Sequence, residues 1–188
     1  MHHRRSIRLA TFDYSQSGAY FITLCTWGRV PLFGSIGGNA VVRNGFGEIV
    51  EEEWLRSSEI RSEIELDAYV VMPNHLHGVV FLIGGVGATG RLPRRFGAEE
   101  GPGRRSLASF AGGLKAATTT RINRARGTPG APVWQRNFFE RVLRSECELE
   151  RARQYVLDNP RRWAEDPNNP LNAASRPANH AAVGATSR

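Results

Sequence analysis

Apolar residues recur along the chain with two different spacings, and these spacings predict the order of its strands and helices. Stretches rich in β-branched and aromatic residues indicate strands, whereas apolar residues three or four positions apart indicate amphipathic helices. Four strands are predicted, at residues 19–27, 65–72, 75–83 and 133–144. Helices are predicted at about 40–61, at 106–125 and from 145 to a stop at Pro160.

Local motifs sharpen this outline at three places. Only Pro73 and Asn74 separate the second and third strands, so these strands should form a tight antiparallel hairpin. Ser145 and Glu148 form a capping box at the start of the last helix. In the first helix, the acidic run 51–53 should face mostly water, because the apolar residues lie on the opposite side.

The predicted order is β-α-β-β-α-β followed by a further helix. This order favours an α+β, ferredoxin-like fold, in which an antiparallel sheet carries two helices on one face. The other face would be open for a ligand or for the extra C-terminal helix. We expect a single domain over residues 1–165. The Gly-, Arg- and Pro-rich segment 84–105 should be a flexible basic loop, and the tail 166–188 should be disordered.

Charge is distributed unevenly along the chain, and the unevenness points to a polyanionic partner. The net charge is +7, and residues 101–139 contain no acidic residue but seven basic ones. Residues 48–67, in contrast, hold eight acidic residues and two arginines. Nucleic acid is the commonest partner of a protein polarised in this way. Lys115 is the only lysine, so a general preference for arginine contributes, but it does not explain the segregation of sign.

Hydropathy argues against a membrane protein. The sequence has no apolar run near the roughly 20 residues that a membrane span needs. Basic residues near the N-terminus are not followed by an apolar stretch, so we predict no secretory signal. We therefore expect a cytoplasmic, nucleoid-associated protein.

Two histidines are the first candidate chemistry. His75 and His77 lie two residues apart on a predicted strand, so both side chains should point to the same face of the sheet. Two imidazoles at this spacing could share a metal ion, or they could simply be hydrogen-bonded within the sheet. Two neutral ligands are too few for a metal site, so a third would have to come from elsewhere.

The last helix offers candidates for the missing ligand. If Leu149, Ala152 and Val156 form its buried stripe, then Tyr155 and Asn159 lie on one flank, one turn apart. A helix over the open sheet face would point both toward the histidines. An amide oxygen suits a hard cation. From spacing alone, the tyrosine could equally be an ordinary edge residue, and the asparagine an ordinary helix end before proline.

Taken together, these stretches resemble the REP-associated tyrosine transposases, a branch of the single-tyrosine HUH transposase superfamily. The matching stretches are "RRSIRLATFDYSQSGAYFITLCT", "YVVMPNHLHGVV", "SFAGGLKAATTTRIN", "VWQRNFFERVLRSECEL" and "YVLDNPRRW", in this order. The resemblance covers residues 4–167, and its most specific parts are "PNHLHG" and "YVLDNP". The segment 84–105 departs from the family pattern, because it is longer and richer in glycine and arginine.

The resemblance implies a site and a reaction. His75 and His77 would be metal ligands, Asn159 the third ligand, Tyr155 the nucleophile, and Mg²⁺ or Mn²⁺ the ion. The protein would cleave and rejoin single-stranded or hairpin DNA through a 5′-phosphotyrosine intermediate. The family reads hairpins, and arginine also stacks on unpaired bases. Six arginines are candidates for contact with DNA, although each could equally be a solvated surface charge: Arg4, Arg5, Arg8, Arg121, Arg124 and Arg136.

Two other functions stay open at this point. The protein could be a domesticated, non-catalytic DNA-binding protein that represses or organises repeats. It could also be a metal-dependent phosphoesterase in which water, rather than the tyrosine, attacks the phosphate. The sequence is compatible with a homodimer as well as with a monomer.

Overall fold

The computed structural model of the protein describes residues 17–83, 106–166 and 168–173. The strands are β1 (Gly18–Cys25), β2 (Gly34–Gly37), β3 (Ala40–Arg43), β4 (Ile64–Met72), β5 (His75–Leu82) and β6 (Phe139–Leu143). The helices are α1 (Gly45–Ile60), α2 (Leu107–Arg126), α3 (Glu146–Asp158) and the single turn α4 (Pro170–Ala173). Short 3₁₀ turns occur at Trp27–Arg29 and Trp163–Glu165.

Four strands form one antiparallel sheet in the order β4-β5-β1-β6. The hairpin predicted around Pro73 and Asn74 joins β4 to β5. Both of these turn residues contact the segment after β1. The carbonyl oxygen of Pro73 accepts hydrogen bonds from the amides of Leu32 and Phe33, and that of Asn74 accepts one from the amide of Thr26. The α+β, ferredoxin-like arrangement predicted from the sequence is confirmed.

Helices α1 and α2 cover one face of the sheet and form the main core. Alternate residues of β1 and β5 face them, because successive side chains of a strand point to opposite faces. Trp54 of α1 and Phe110 of α2 meet in this core, with ring centroids 5.6 Å apart. The core is completed by buried aliphatic residues of both strands, among them Ile22, Leu76 and Val80.

Helix α3 covers the opposite face, above a smaller apolar cluster. The predicted stripe of Leu149, Ala152 and Val156 is buried there, as expected. An ion pair helps to fix the helix on the sheet, since the guanidinium of Arg153 donates hydrogen bonds of 2.9 and 2.7 Å to Asp67. Asp67 lies at a register shift in β4, between Leu66 and Tyr69. The sheet is therefore enclosed by helices on both faces.

The first predicted helix begins too early, and a small hairpin takes its place. Ala40–Arg43 pairs with Gly34–Gly37 as a separate two-stranded sheet. The helix starts only after Asn44, whose side chain accepts hydrogen bonds from the amides of Phe46 and Gly47. An asparagine N-cap fixes a helix start more firmly than apolar spacing does, so it overrides the weak periodicity before it.

The fourth predicted strand is shorter than expected. Only Phe139–Leu143 pairs with β1, and Trp134 makes an isolated bridge to Thr26. The intervening segment leaves the sheet, and the ammonium of Lys115 on α2 donates hydrogen bonds to its carbonyl oxygens.

The folded chain continues past the boundary predicted at residue 165. Asp166 and Asn169 are buried, and α4 follows. Asparagine side chains hold this turn together, since Asn169 donates to the carbonyl of Trp163 at 3.0 Å and Asn172 to that of Ala164 at 2.7 Å. The prediction of disorder is therefore wrong for 166 and 168–173. The segments 84–105 and 174–188 lie outside the described residues.

In the described part of the chain, each helix is too short or too polar to span a lipid bilayer.

The close approach of α1 to β5 predicts that Gly78 tolerates no side chain. A Cβ at this position would overlap the indole ring of Trp54, at 2.6 Å from its Cζ2 atom. We expect Gly78→Ala to lower the free energy of unfolding by about 1–3 kcal/mol, measured by denaturant titration. Gly112→Ala is the control, because a Cβ there meets nothing within 4 Å and should raise stability by up to ~1 kcal/mol. Equal stability of Gly78→Ala and the wild type would contradict this packing.

Candidate active site

His75 and His77 lie side by side on the α3 face of β5, as their spacing predicts. Their exposed fractions are 0% and 2%, and their ring centroids are 4.4 Å apart. They are buried because β5 lies between β4 and β1 and because α3 covers this face. The two rings are therefore held in a small space that water cannot enter freely.

The tautomer of His75 follows from its neighbour in the hairpin turn. The side-chain oxygen of Asn74 lies 2.8 Å from Nδ1 of His75. The orientation of this amide is fixed, because its nitrogen donates to the carbonyl oxygens of Arg29 at 2.8 Å and Asn168 at 2.7 Å. Nδ1 of His75 must then carry the proton and donate it to Asn74. Its Nε2 atom is left with a free lone pair.

His77 is oriented in a similar way from the neighbouring strand. The register places Thr23 of β1 directly opposite His77, and the Thr23 hydroxyl lies 2.8 Å from Nδ1 of the imidazole. The ring also contacts Phe21, with centroids 5.3 Å apart. A hydroxyl can accept a hydrogen bond from Nδ1–H, which would again leave Nε2 free to bind another group.

Four buried polar atoms at this site have no hydrogen-bond partner among the described residues. They are Nε2 of His75, Nε2 of His77, Oδ1 of Asn159 and Oδ2 of Asp166. Unpaired buried polar atoms are rare, because each costs roughly 1–3 kcal/mol in lost hydration. The ligand atoms of His75, His77 and Asp166 all lie within 4.8 Å of one another. This group could hold a metal ion.

Burial also sets the protonation state of the histidines. It lowers the pKa of His75 to about 3. It lowers the pKa of His77 well below its usual value, and the adjacent His75 lowers it further. Both imidazoles are therefore neutral at physiological pH. Neutral imidazole is the form that binds metals.

Asp166 is the residue that sequence reasoning missed. Its side chain is buried, with an exposed fraction of 4%, and Oδ2 lies 3.8 Å from Nε2 of His75. The other oxygen, Oδ1, accepts a hydrogen bond of 2.6 Å from the amide of Asn168. The ring of Trp163 stacks on His75 with centroids 6.0 Å apart. The sequence signal is the Asp-Pro-Asn-Asn stretch, since Asp and Asn side chains fold such segments into turns.

Tyr155 and Asn159 lie beside the histidines, on the flank of α3 where the sequence placed them. The ring of Tyr155 meets His77 at 5.2 Å and Phe21 at 5.7 Å, measured between centroids. Its exposed fraction is 39%, so a substrate can reach it from solvent. Asn159 follows the last residue of α3, and its side chain is buried.

The environment of Tyr155 does not by itself favour a phenolate. Burial raises the pKa of its hydroxyl, and the Asp166 carboxylate raises it further. A hydrogen bond with the Asn159 side chain and the charge of Arg162 act in the opposite direction, but less strongly. The hydroxyl is therefore protonated at neutral pH in the protein alone.

The predicted DNA-contacting arginines are not brought together at this site. Arg121 lies on α2, on the other side of the sheet, and pairs with Glu52 and Glu53 of α1. Glu53 is buried, so the prediction that the acidic run 51–53 faces mostly water is wrong at this residue. Its burial is explained by the charge of Arg121, which it meets at 2.9 Å.

Two of the remaining candidate arginines, Arg124 and Arg136, are exposed. Arg136 lies in the segment that precedes β6. Arg4, Arg5 and Arg8 lie outside the described residues. DNA contact by these arginines stays a prediction.

Comparison with known proteins places this chain in a family. No protein-family model matches the chain. A protein of Haemophilus influenzae strain Rd, described only as an uncharacterized protein, is 32% identical over 169 residues. The match covers 88% of this chain and 93% of the Haemophilus protein. The chain belongs to the same family as that protein.

Solved structures extend the comparison to a known fold. The structure of the REP-associated tyrosine transposase bound to a REP hairpin aligns over 94% of this chain and 93% of that chain. The TM-score is 0.54 at 17% sequence identity. The chain has the fold of the REP-associated tyrosine transposases. In this chain, the histidine pair lies on the inner strand β5, and Tyr155 lies on α3, which covers the face of the sheet opposite α1 and α2.

The Oδ2 atom of Asp166 has no hydrogen-bond partner within the described ranges, which predicts opposite effects of one substitution with and without metal. Asp166→Asn removes a buried negative charge, and its amide could donate to the free Nε2 of His75. Without metal, we expect the variant to be more stable than the wild type, by roughly 1–3 kcal/mol. Saturating Mn²⁺ should stabilise the wild type by about 2.7 kcal/mol at 100 times Kd and the variant by clearly less. Thermal unfolding in EDTA and in Mn²⁺ measures both effects.

The matched control is Asp67→Asn, because Asp67 is paired with Arg153 on the same face of the sheet. This variant should lose stability under both conditions and keep the full metal-induced shift. If Asp166→Asn instead is less stable than the wild type in EDTA and keeps the full shift in Mn²⁺, the carboxylate has no part in metal binding.

Proposed function

We propose that this protein is a transposase-type DNA nuclease and strand transferase that acts on single-stranded or hairpin DNA through a 5′-phosphotyrosine link. One observation carries the proposal: Tyr155, which is half-exposed, lies against His77 at the edge of a pocket with four buried ligand atoms that have no hydrogen-bond partner in the described part of the chain. This reaction requires two parts: a nucleophile that the substrate can reach, and a buried group of side chains that can bind a metal ion.

The donor atoms fit a divalent cation. His75, His77 and Asn159 are the ligands that the family resemblance implies, and Asp166 adds a carboxylate oxygen. Two imidazole nitrogens with two oxygens suit Mn²⁺, and the oxygens also suit Mg²⁺. Such an ion would offset the negative charge of the phosphodiester and favour an attacking oxygen.

The residues of the chain account for the remaining requirements of the reaction. The hydroxyl oxygen of Tyr155 forms a bond to the scissile phosphorus, the P–O3′ bond breaks, and the proton lost by the tyrosine is balanced by the one that the 3′-oxygen gains. Phe21 and His77 hold the tyrosine ring on two sides, which limits the orientations of the attacking oxygen. A 3′-hydroxyl can reverse the step, so joining needs no external energy.

The raised pKa of Tyr155 disfavours attack by the tyrosine when substrate and ion are absent. The ordinary pKa of a tyrosine hydroxyl is about 10, and burial and the Asp166 carboxylate raise that of Tyr155 further, so the protein alone holds almost no phenolate. Cleavage then depends on the substrate and the ion being present together, which suits an enzyme that must not cut DNA at random.

Two findings support DNA as the partner. The transposase with the same fold was solved with a REP hairpin bound to it. The present chain carries a net charge of +7, which favours binding to a polyanion. Hairpin DNA with an adjoining single strand is therefore the proposed substrate.

Removal of one oxygen atom tests the nucleophile. Tyr155→Phe keeps the ring that packs against Phe21, so folding and DNA binding should persist. With end-labelled hairpin DNA, we expect denaturing gels to lose both the covalent protein–DNA band and the cleaved fragment. Tyr69→Phe is the control, because the Tyr69 hydroxyl donates to Glu51 away from the site, and this variant should keep both bands.

Each other outcome of this experiment identifies a different protein. Cleavage without an adduct, already in the wild type, would mean that water attacks and that the protein is a phosphoesterase. Binding without cleavage or adduct in the wild type would mean a non-catalytic DNA-binding protein. An adduct that persists in Tyr155→Phe would mean that another residue is the nucleophile.

A pair of substitutions tests the metal ligands. His77→Ala removes a proposed ligand, so cleavage should be lost while hairpin binding, measured by gel retardation, is largely kept. Thr23→Val removes only the hydroxyl that orients His77, which should weaken metal affinity roughly 10- to 100-fold. Excess Mn²⁺ should therefore restore cleavage in Thr23→Val but not in His77→Ala. Cleavage by His77→Ala at the wild-type rate would refute the assignment.

A further inference from the structure

A cavity of about 460 Å³ opens beside Tyr155, next to the histidine pair. This volume lies in the range of about 300–1,000 Å³ that is typical of small-molecule sites. One wall belongs to β1 and the site itself, and the other belongs to the segment that leads into β6. The lining residues that matter here are Phe21, His77, Tyr155, Gln135, Asn137 and Phe139.

The wall opposite the site is held by Lys115, the only lysine of the chain. Its ammonium donates hydrogen bonds to the carbonyl oxygens of Gln135 at 2.9 Å, Arg136 at 3.4 Å and Asn137 at 3.0 Å. The amide of Gln135 also donates to the carbonyl oxygen of Cys25 in β1, at 2.9 Å. A segment outside any strand is thereby fixed to both a helix and the sheet.

This fixed segment presents unused recognition groups to the cavity. Within residues 17–83, 106–166 and 168–173, no hydrogen bond involves the side-chain amide of Gln135 or Asn137. Each amide offers a donor and an acceptor side by side, which is the pattern that matches the edge of a nucleobase. Phe139, with an exposed fraction of 40%, adds an aromatic face on which a base can stack.

The position of the cavity indicates which nucleotide it would hold. Tyr155 and His77 belong both to the cavity and to the proposed active site. A group in the cavity is therefore adjacent to the phosphate that the tyrosine attacks. In a duplex, the faces of a base are stacked and its Watson–Crick edge is paired, so a base that stacks on Phe139 must be unpaired.

We propose that this cavity binds the unpaired nucleotide next to the scissile phosphate, that Gln135 and Asn137 read its base, and that Lys115 is a positioning residue for both. The inference rests on the proposed function and adds a source of sequence selectivity within the protein itself. Charge on the surface supports binding to any DNA, whereas these amides discriminate between bases at one position.

Binding measurements on randomised DNA test the proposal without the chemical step. Hairpin DNA with random bases on either side of the cleavage point is selected by full-length protein carrying Tyr155→Phe, and the bound pool is sequenced. We expect a base preference at one flanking position. Adding Gln135→Ala or Asn137→Ala should reduce that preference roughly tenfold and leave the preferences at other positions unchanged.

Control variants separate recognition from general damage. Gln154→Ala removes an exposed amide on α3 and should leave the preference as it was. Lys115→Met should flatten the preference at the same single position, and Lys115→Arg should largely restore it. A uniform loss of binding at every position in Lys115→Met would overturn the positioning role.

Two further results would overturn the inference and are distinguishable from each other. In the first, the wild type cleaves single-stranded DNA, but either it has no base preference next to the cleavage point or Gln135→Ala and Asn137→Ala keep that preference. The cavity then does not read a base, and the proposed function stands. If the wild type neither binds nor cleaves such DNA, the proposed function fails and this inference fails with it.

Discussion

The pairing of β5 between β1 and β4 is the constraint on which the site depends. It places Thr23 opposite His77 and turns both histidines toward α3. A slip of one residue would send every side chain of the strand to the other face, and the imidazoles would enter the apolar core under α1. Gly78 disfavours such a slip, because a residue with a side chain at its place would overlap the indole ring of Trp54.

The same pairing explains why the site is buried and why its polar atoms lower the stability of the fold. The inner position of β5 and the cover of α3 leave its histidines little access to water, so both are neutral, and their Nε2 atoms have no partner among the described residues. Adding the unpaired oxygen of Asp166 makes the arrangement more costly still. The large core between the sheet and the helices α1 and α2 contains no residue of the site. Its buried apolar surface stabilises the fold and so offsets the cost of the unpaired polar atoms. Stability and chemistry thus lie on opposite faces of one sheet.

Much of this arrangement could be predicted from the sequence, because it follows from short-range patterns. The period of two put His75 and His77 on one face, and the helical spacing put Tyr155 and Asn159 on one flank of α3. The hairpin β2–β3 was missed because four-residue strands are too short to show a period. The ion pair of Arg121 with Glu53 was missed because no local pattern links residues that are 68 positions apart.

Asp166 was missed for a different reason, and that reason bears on how the site works. The Pro- and Asn-rich composition after α3 suggested a chain that cannot bury enough apolar surface to fold. The segment instead folds through hydrogen bonds of its asparagines and through Asn74, whose amide links Asn168 to the hairpin turn at 2.7 Å. That amide also orients His75 at 2.8 Å. One asparagine in the β4–β5 turn therefore connects the two sides of the proposed metal site, so the strand histidine and the carboxylate of a distant turn are positioned by the same group.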